Sequence, residues 1–137
     1  MTNTFRSLST SGLAPKQQIR CWTDALADLC GHFDIDPLKV SSFEGRIHST
    51  TMSKLTLCQI EASQHRIAHL ASSVKPGGHP FVKILFQTHG VSHFEQSGQR
   101  IKLIPGDCLA YDVSCPHTIV SPATTRHEVV IVPQELL

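Results

Sequence analysis

The 137-residue chain lacks the marks of most catalytic, membrane and nucleic-acid-binding classes. No run approaches the roughly 20 apolar residues that cross a bilayer. Residues 1–8 hold no continuous apolar core of the signal-peptide kind. Charge runs are missing too: twelve basic and eleven acidic residues are interspersed, for a net charge of +1. Nucleic-acid binders gain affinity by neutralising phosphates and carry a basic stripe for it. This segment is therefore not expected to hold DNA by itself. The five cysteines (Cys21, Cys30, Cys58, Cys108, Cys115) form no CxxC pair. An odd number without motif spacing fits small buried hydrophobes in a reducing cytoplasm. There is no serine nucleophile elbow, phosphate loop or zinc-protease helix. Asp107 and Asp112 lie five apart across one short strand and so point to opposite faces, which removes a paired-carboxylate mechanism. No catalytic residue is assigned.

What is present is one domain's worth of core. Hydrophobic residues make up 40% of the chain and charged residues 17%, enough for one packed interior and too apolar for disorder. Residues 1–14 are rich in Ser and Thr and read as a flexible arm. Pro15 suits the first turn of a helix, where its missing N–H costs nothing. Ile19, Trp22, Leu26, Leu29 and Phe33 follow at helical spacing and predict an amphipathic helix over 15–31, with Trp22 as a packing anchor. From residue 41 the period changes. Segments 43–48, 55–60, 81–88, 91–96, 100–104, 108–113, 118–121 and 128–132 are β-branched or aromatic and separated by turn residues, the pattern of a sandwich or barrel. Ser97-Gly98 predicts a two-residue hairpin and Pro105-Gly106 the centre of a type II turn. Pro76-Gly77-Gly78 marks a break between halves. Segment 64–75 is compatible with a strand or a helical turn.

Gly98, then residues 99–104, then Pro105-Gly106-Asp107 resembles the second half of a cupin barrel, where a Gly-closed hairpin leads into a Pro-Gly-Asp turn and a further strand. The wider order resembles the N-terminal domain of AraC/XylS-type transcription regulators over residues 15–137, in particular the branch that senses aromatic acids and amines. The matching features are an early helix with Trp22, a Phe43-Glu44-Gly45-Arg46 strand opening and a 55–60 strand leading to Arg66. The Pro-Gly-Asp turn, Asp112 and a closing Val129-Val130-Ile131-Val132-Pro133 strand complete the set. The resemblance implies a mainly β, cupin-like fold: a double-stranded β-helix or jelly-roll barrel with an N-terminal amphipathic helix. It also implies a small organic effector bound in the barrel, and DNA contact only through a C-terminal pair of helix-turn-helix units. Residues 134–137 follow Pro133 with good helix formers. The expected organisation is thus an arm at 1–14, a sensing domain at 15–133, and at 134–137 the start of a linker helix to a DNA-binding domain outside these residues. A homodimer is compatible with this reading, and no membrane partner or cofactor is expected.

A small β-barrel leaves an interior lined by alternate strand residues, wide enough for one small ligand. Phe81, Leu85 and Tyr111 are candidate lining residues, although Tyr111 could equally be core. The 81–88 strand is apolar on both faces, and alternation alone does not say which face looks inward. Arg46 and Arg66 are candidates for gripping an anionic effector, since a guanidinium holds a carboxylate by two parallel hydrogen bonds. Both are equally compatible with ordinary surface arginines. Nine histidines invite a metal reading. His89, His93, Glu95 and His117 are the nearest approach to a metal-cupin set, but its His-x-His pair is absent and Gly90 interrupts the strand, so no metal is expected. His79 and His117, each beside a proline, read as loop residues, and His65 with His69 as a pair that could share a helical face and bind something but more often is solvated. The alternatives to a sensing domain are a metal-dependent cupin enzyme and a dimerisation module without ligand.

Overall fold

A computed structural model describes residues 4–30, 33–38, 42–69 and 81–137. Among them are β1 (Thr4–Ser9), α1 (Pro15–Cys30), β2 (Asp34–Asp36), β3 (Gly45–Met52), β4 (Leu55–Ala62), β5 (His65–His69) and β6 (Phe81–His89). There follow β7 (Ser92–Gln96), β8 (Gln99–Leu103), β9 (Cys108–Asp112), β10 (His117–Ser121), β11 (Thr125–Pro133) and a single 3-10 turn, Gln134–Leu136. The strands form two sheets, ordered β1-β3-β4-β11-β6-β9 and β2-β5-β10-β7-β8. All the pairings are antiparallel. The two sheets face each other across one core, the sandwich that the strand spacing predicts and the cupin-like jelly roll that the resemblance implies.

Side chains alternate between core and solvent along each strand, as a pleated backbone requires. On β3, Gly45, Ile47 and Ser49 are buried while Arg46 and His48 are exposed. On β11, Thr125, His127, Val129 and Ile131 face in. On β6 the inward set is Lys83, Leu85 and Gln87, and the outward set is Val82, Ile84 and Phe86. The more polar face of that strand is thus the one turned inside.

Helix α1 begins at Pro15 as its sequence predicts. Trp22 and Leu26 are buried, and both border the hollow between the sheets. The helix therefore closes one side of the interior. Phe33 belongs to the same apolar set, but it lies beyond the helix end, directly before β2, and is buried. Gln18 Oε1 accepts the Phe43 N–H at 2.9 Å and ties the helix to the start of β3.

Both predicted turns are present. Gln96 pairs with Gln99 across Ser97 and Gly98, whose φ angles are 52° and 77°. Two successive positive φ values make this the primed turn that matches strand twist. Gly106 has φ 100°, and Asp107 N–H donates to Ile104 O at 3.0 Å, closing the second turn. The Asp107 carboxylate accepts the Ile104 N–H at 2.9 Å, the local turn role read from its position.

Three segments differ from the sequence reading. Residues 4–9, taken as part of a flexible arm, form β1 and pair with β3 from Thr4↔Thr51 to Ser9↔Arg46. Phe5 and Leu8 stand three apart, which is no strand alternation, but a β-ladder is built from backbone groups and needs only a free edge to extend. Residues 65–69, left open, form β5, and β2 adds a short edge strand. Gly31, residues 70–75 and the Pro76-Gly77-Gly78 break lie outside the described residues.

Candidate functional site: a polar interior between the sheets

The inner faces of β5, β6, β10 and β11 bring His65, His69, Lys83, Gln87, His117 and His127 into the interior, where all are buried. Lys83 is the one buried residue of the Lys, Arg, Asp and Glu types among the described residues. Its Nζ lies 5.4 Å from the centroid of the Phe33 ring. The Phe33 ring in turn sits edge-on to His69 and His117 at 5.7 and 5.9 Å, and the Tyr111 ring is 4.9 Å from His117.

Hydrogen bonds set the tautomers of three of these histidines. His65 Nδ1 lies 2.6 Å from Ser63 O and His117 Nδ1 lies 2.9 Å from Cys115 O. A carbonyl only accepts, so each Nδ1 carries the proton and each Nε2 is a bare acceptor. Gln87 donates its amide N–H groups to Gly90 O at 2.9 Å and His89 O at 3.2 Å. That orientation turns Gln87 Oε1 toward His127 Nε2, 2.7 Å away, so Nε2 carries the His127 proton and Nδ1 is bare. Ser92 Oγ, 3.2 Å from the same His127 nitrogen, continues the network to Ser121 Oγ at 3.0 Å.

Burial keeps all three rings neutral. It pushes the His117 imidazole down to about 4, with the Lys83 ammonium adding to the effect against a partial offset from the Cys115 carbonyl. Burial, then the Lys83 and His65 charges, likewise brings His127 to about 4. His65 is lowered by burial, opposed by its bond to Ser63.

A cavity of about 30 Å³ lies between these side chains, bordered by Trp22, His65, Lys83, Tyr111, His117 and His127 among others. Among the described residues, three buried polar atoms of the cavity lining have no hydrogen-bond partner: Trp22 Nε1, His117 Nε2 and Thr125 Oγ1. An unmet buried donor or acceptor costs about 1–3 kcal/mol, and most such groups are paired in folded proteins. All three residues border one hollow, so a polar guest placed there would meet unmatched polar groups. The present volume suits a water-sized one, since ordinary organic-ligand pockets run to roughly 300 Å³ or more. A larger hollow of about 370 Å³, beside Thr10, Arg46 and Glu61, is an open surface groove.

The structure separates the candidate residues into two groups. Leu85 and Tyr111 border the interior cavity, and half-buried Phe81 packs on the core at the start of β6. Arg46 and Arg66 are exposed on the outward positions of β3 and β5. Neither borders the cavity. Arg46 Nη2 lies 2.7 Å from Glu61 Oε1, and Arg126 Nη2 lies 2.7 Å from the other oxygen of the same carboxylate. The arginines were singled out for charge alone, and the strand alternation of residues 45–49 already turns Arg46 away from Ile47.

The histidine reading needs the larger correction. His117 is the first residue of β10 and is 4% exposed, where its neighbour Pro116 suggested a loop. His65 and His69 sit on one buried strand face, where a solvated pair was expected. His89 and His93 are exposed and do not join His117, and Glu95 pairs with Arg100 instead. Among the described residues no group of three or more His, Cys, Asp or Glu is placed to hold a metal ion. His79 is outside the described residues. Lys83 and His127 are the inward residues the sequence reading missed: His127 shares its face with Val129, a signal in the sequence, whereas Lys83 lies on a strand apolar on both faces, where alternation leaves the inward face open.

The chain belongs to the AraC-binding-like domain family, whose sequence model matches residues 22–137. Its fold is similar to the AraC-like transcriptional activator CuxR, at 19% identity and a TM-score of 0.83, over 98% of this chain and 49% of that one. The chain thus spans about half the length of that activator. It is also similar to a putative ethanolamine utilization protein from Salmonella typhimurium, at 12% identity and a TM-score of 0.52, over 65% of this chain and 69% of that one. A predicted oxalate decarboxylase from Thermotoga maritima is similar at 15% identity and a TM-score of 0.50, over 66% and 81%. Comparison with curated protein sequences finds no match. No helix among the described residues is long and apolar enough to cross a membrane.

Proposed function

We propose that these residues are the effector-sensing domain of a cytoplasmic AraC/XylS-type transcription regulator, binding a small organic effector between the two sheets. The carrying observation is the convergence of Trp22 Nε1, His117 Nε2 and Thr125 Oγ1, all without partners among the described residues, on one enclosed cavity. Leu85 and Tyr111 supply the cavity wall, with Phe81 beside it. In this reading the domain catalyses nothing. Operator DNA is contacted by a helix-turn-helix domain beyond residue 137, and a homodimer is the working assembly. An effector larger than water needs room, and the side of the interior closed by Trp22 and Leu26 is where it is gained. Ligand occupancy then shifts α1, and the shift is what the rest of the regulator reads. A ligand moves such an equilibrium only through its differential affinity for the two states.

The test is a thermal-shift screen of the 137-residue chain against small organic acids, amines and sugars, paired with a gel shift on operator DNA. The expected outcome is stabilisation by about 2.7 kcal/mol at a hundredfold excess over Kd, with no DNA binding. Tight, sequence-specific DNA binding by these residues alone overturns the proposal.

A further inference from the structure

Resting on the homodimer in that reading, we infer that two copies of the chain pack face to face through the outer side of the six-stranded sheet. Cross-strand register carries one row of side chains over all six strands: Phe5, Thr50, Leu57, Val130, Ile84 and Ala110. None of the six is ionisable. Met52 lies two residues along β3 from Thr50 and Phe86 two along β6 from Ile84, so strand alternation puts both on the same face. Seven large apolar residues are exposed among the described residues, and four of them share this face: Phe5 at 77%, Met52 at 46%, Phe86 at 40% and Leu57 at 37%. A contiguous exposed apolar patch with a polar rim marks an interaction site.

Size and charge select a second copy as the occupant. Strands β3 and β4 have eight residues each. Six strands about 4.8 Å apart, with a rise of about 3.4 Å per residue, span roughly 29 by 27 Å, close to the roughly 800 Å² that each partner gives to a standard stable interface. The rim carries both signs at both ends of the strands. At one end Arg46 and Arg126 each lie 2.7 Å from Glu61, with Glu128 beside Arg126 on the same strand face. At the other, Lys54 lies 3.4 Å from Glu135. Nucleic acid and anionic lipid are drawn to an excess of positive charge, which this rim lacks. A two-fold interface uses the same patch on both partners and must be self-complementary. An uncharged row across the full width, with both signs at each end, meets that condition. Two sheets can then pack with their strands aligned to within about 30° and interdigitate the apolar row. The row supplies the affinity, and the rim charges only help to match the copies.

The experiment is sedimentation equilibrium of the 137-residue chain and its variants. The wild type is expected to be a dimer. Leu57→Lys and Phe86→Lys, both at exposed positions, should each weaken dimerisation by at least about tenfold, because each buries a charge in the centre of the contact. Lys102→Glu, exposed on the five-stranded sheet, should leave it unaltered. A second measurement keeps the surface testable should a variant not fold. Cys108 pairs with Phe86 across the strands and is exposed, and Cys115 is exposed in the turn after β9. Alkylation of Cys108 should slow as the wild-type chain is concentrated into the dimer, while that of Cys115 should not. A dimer that survives both lysine substitutions overturns the surface and leaves the homodimer standing, as does a dimer in which Cys108 reacts as fast as in the monomer. A chain that stays monomeric at every concentration overturns both, and effector binding is judged separately by the thermal-shift screen.

Discussion

Gly45 and Trp22 are in direct contact, and the contact has no room for a side chain. A Cβ built on Gly45 would lie 2.5 Å from Trp22 Cζ3 and 2.7 Å from Cε3. The Gly45 backbone is ordinary extended strand, so the glycine is required here by packing. It lets the indole lie against β3 while the helix closes the interior. Trp22 is fully buried and packs its ring 5.4 Å from that of Phe43.

Gly45→Ala should therefore destabilise the domain by about 1–3 kcal/mol, the usual cost of overpacking. Trp22→Ala should cost about 3–5 kcal/mol, as for other deleted core aromatics. Combined with Trp22→Ala, the Gly45→Ala penalty should shrink, because the clash is gone. A double-mutant cycle in urea checks the coupling, and additive effects would disprove the contact.

Thr10 holds the entry of β3 from the other side. Its Oγ1 donates to Phe43 O at 3.1 Å and accepts the Gly45 N–H at 2.9 Å, in a fully buried position. Thr10→Val keeps the shape and leaves both backbone groups short of a bond. A loss of about 1–3 kcal/mol is expected, read from the denaturant midpoint.

Stability should fall with acid in the window set by the buried histidines. His117 and His127 have folded values of about 4 against an ordinary 6.5. Their folded values are depressed, so between those limits the unfolded chain binds more protons than the folded one. Stability is then full above about pH 6.5 and lost as pH falls toward 4, by about 3 kcal/mol for each ring. Two rings together rival the whole stability of an ordinary domain. Melting curves at pH 7.5, 6, 5 and 4 check this. A melting temperature constant across the range would mean that the rings are not buried neutral.

Arg46 should be silent in effector binding. Its side chain is 60% exposed and pairs with Glu61 on the outer face of the sheet. Arg46→Ala is expected to leave the melting temperature and the affinity for any interior ligand unaltered. A weakened affinity in calorimetry would place the effector outside the barrel, in the groove beside Thr10.

The sequence by itself determined the elements that answer to local chemistry. Pro15 and the Ile19–Leu29 stripe specify α1, Ser97-Gly98 and Pro105-Gly106 specify their turns, and apolar alternation specifies most of the strands. Each of these is settled within a few residues, where backbone sterics and side-chain period act. The tertiary structure alone decided what the strands enclose. β6 is apolar on both faces, and only its place between β11 and β9 turns Lys83 and Gln87 inward and leaves Val82, Ile84 and Phe86 outside. β1 carries no period-two apolar pattern, since Phe5 and Leu8 stand three apart, and it forms along the edge that β3 offers. The histidines show the same division. His65 comes from β5 and His117 and His127 from β10 and β11, some fifty residues later. His65 and His117 take their tautomers from carbonyls two residues before them, His127 takes its own from the distant Gln87, and each is neutral because the sheets remove water from it. A polar residue in sequence carries no mark of whether it will be solvated or enclosed. That depends on which face of which strand meets which, a nonlocal outcome of the whole core packing at once.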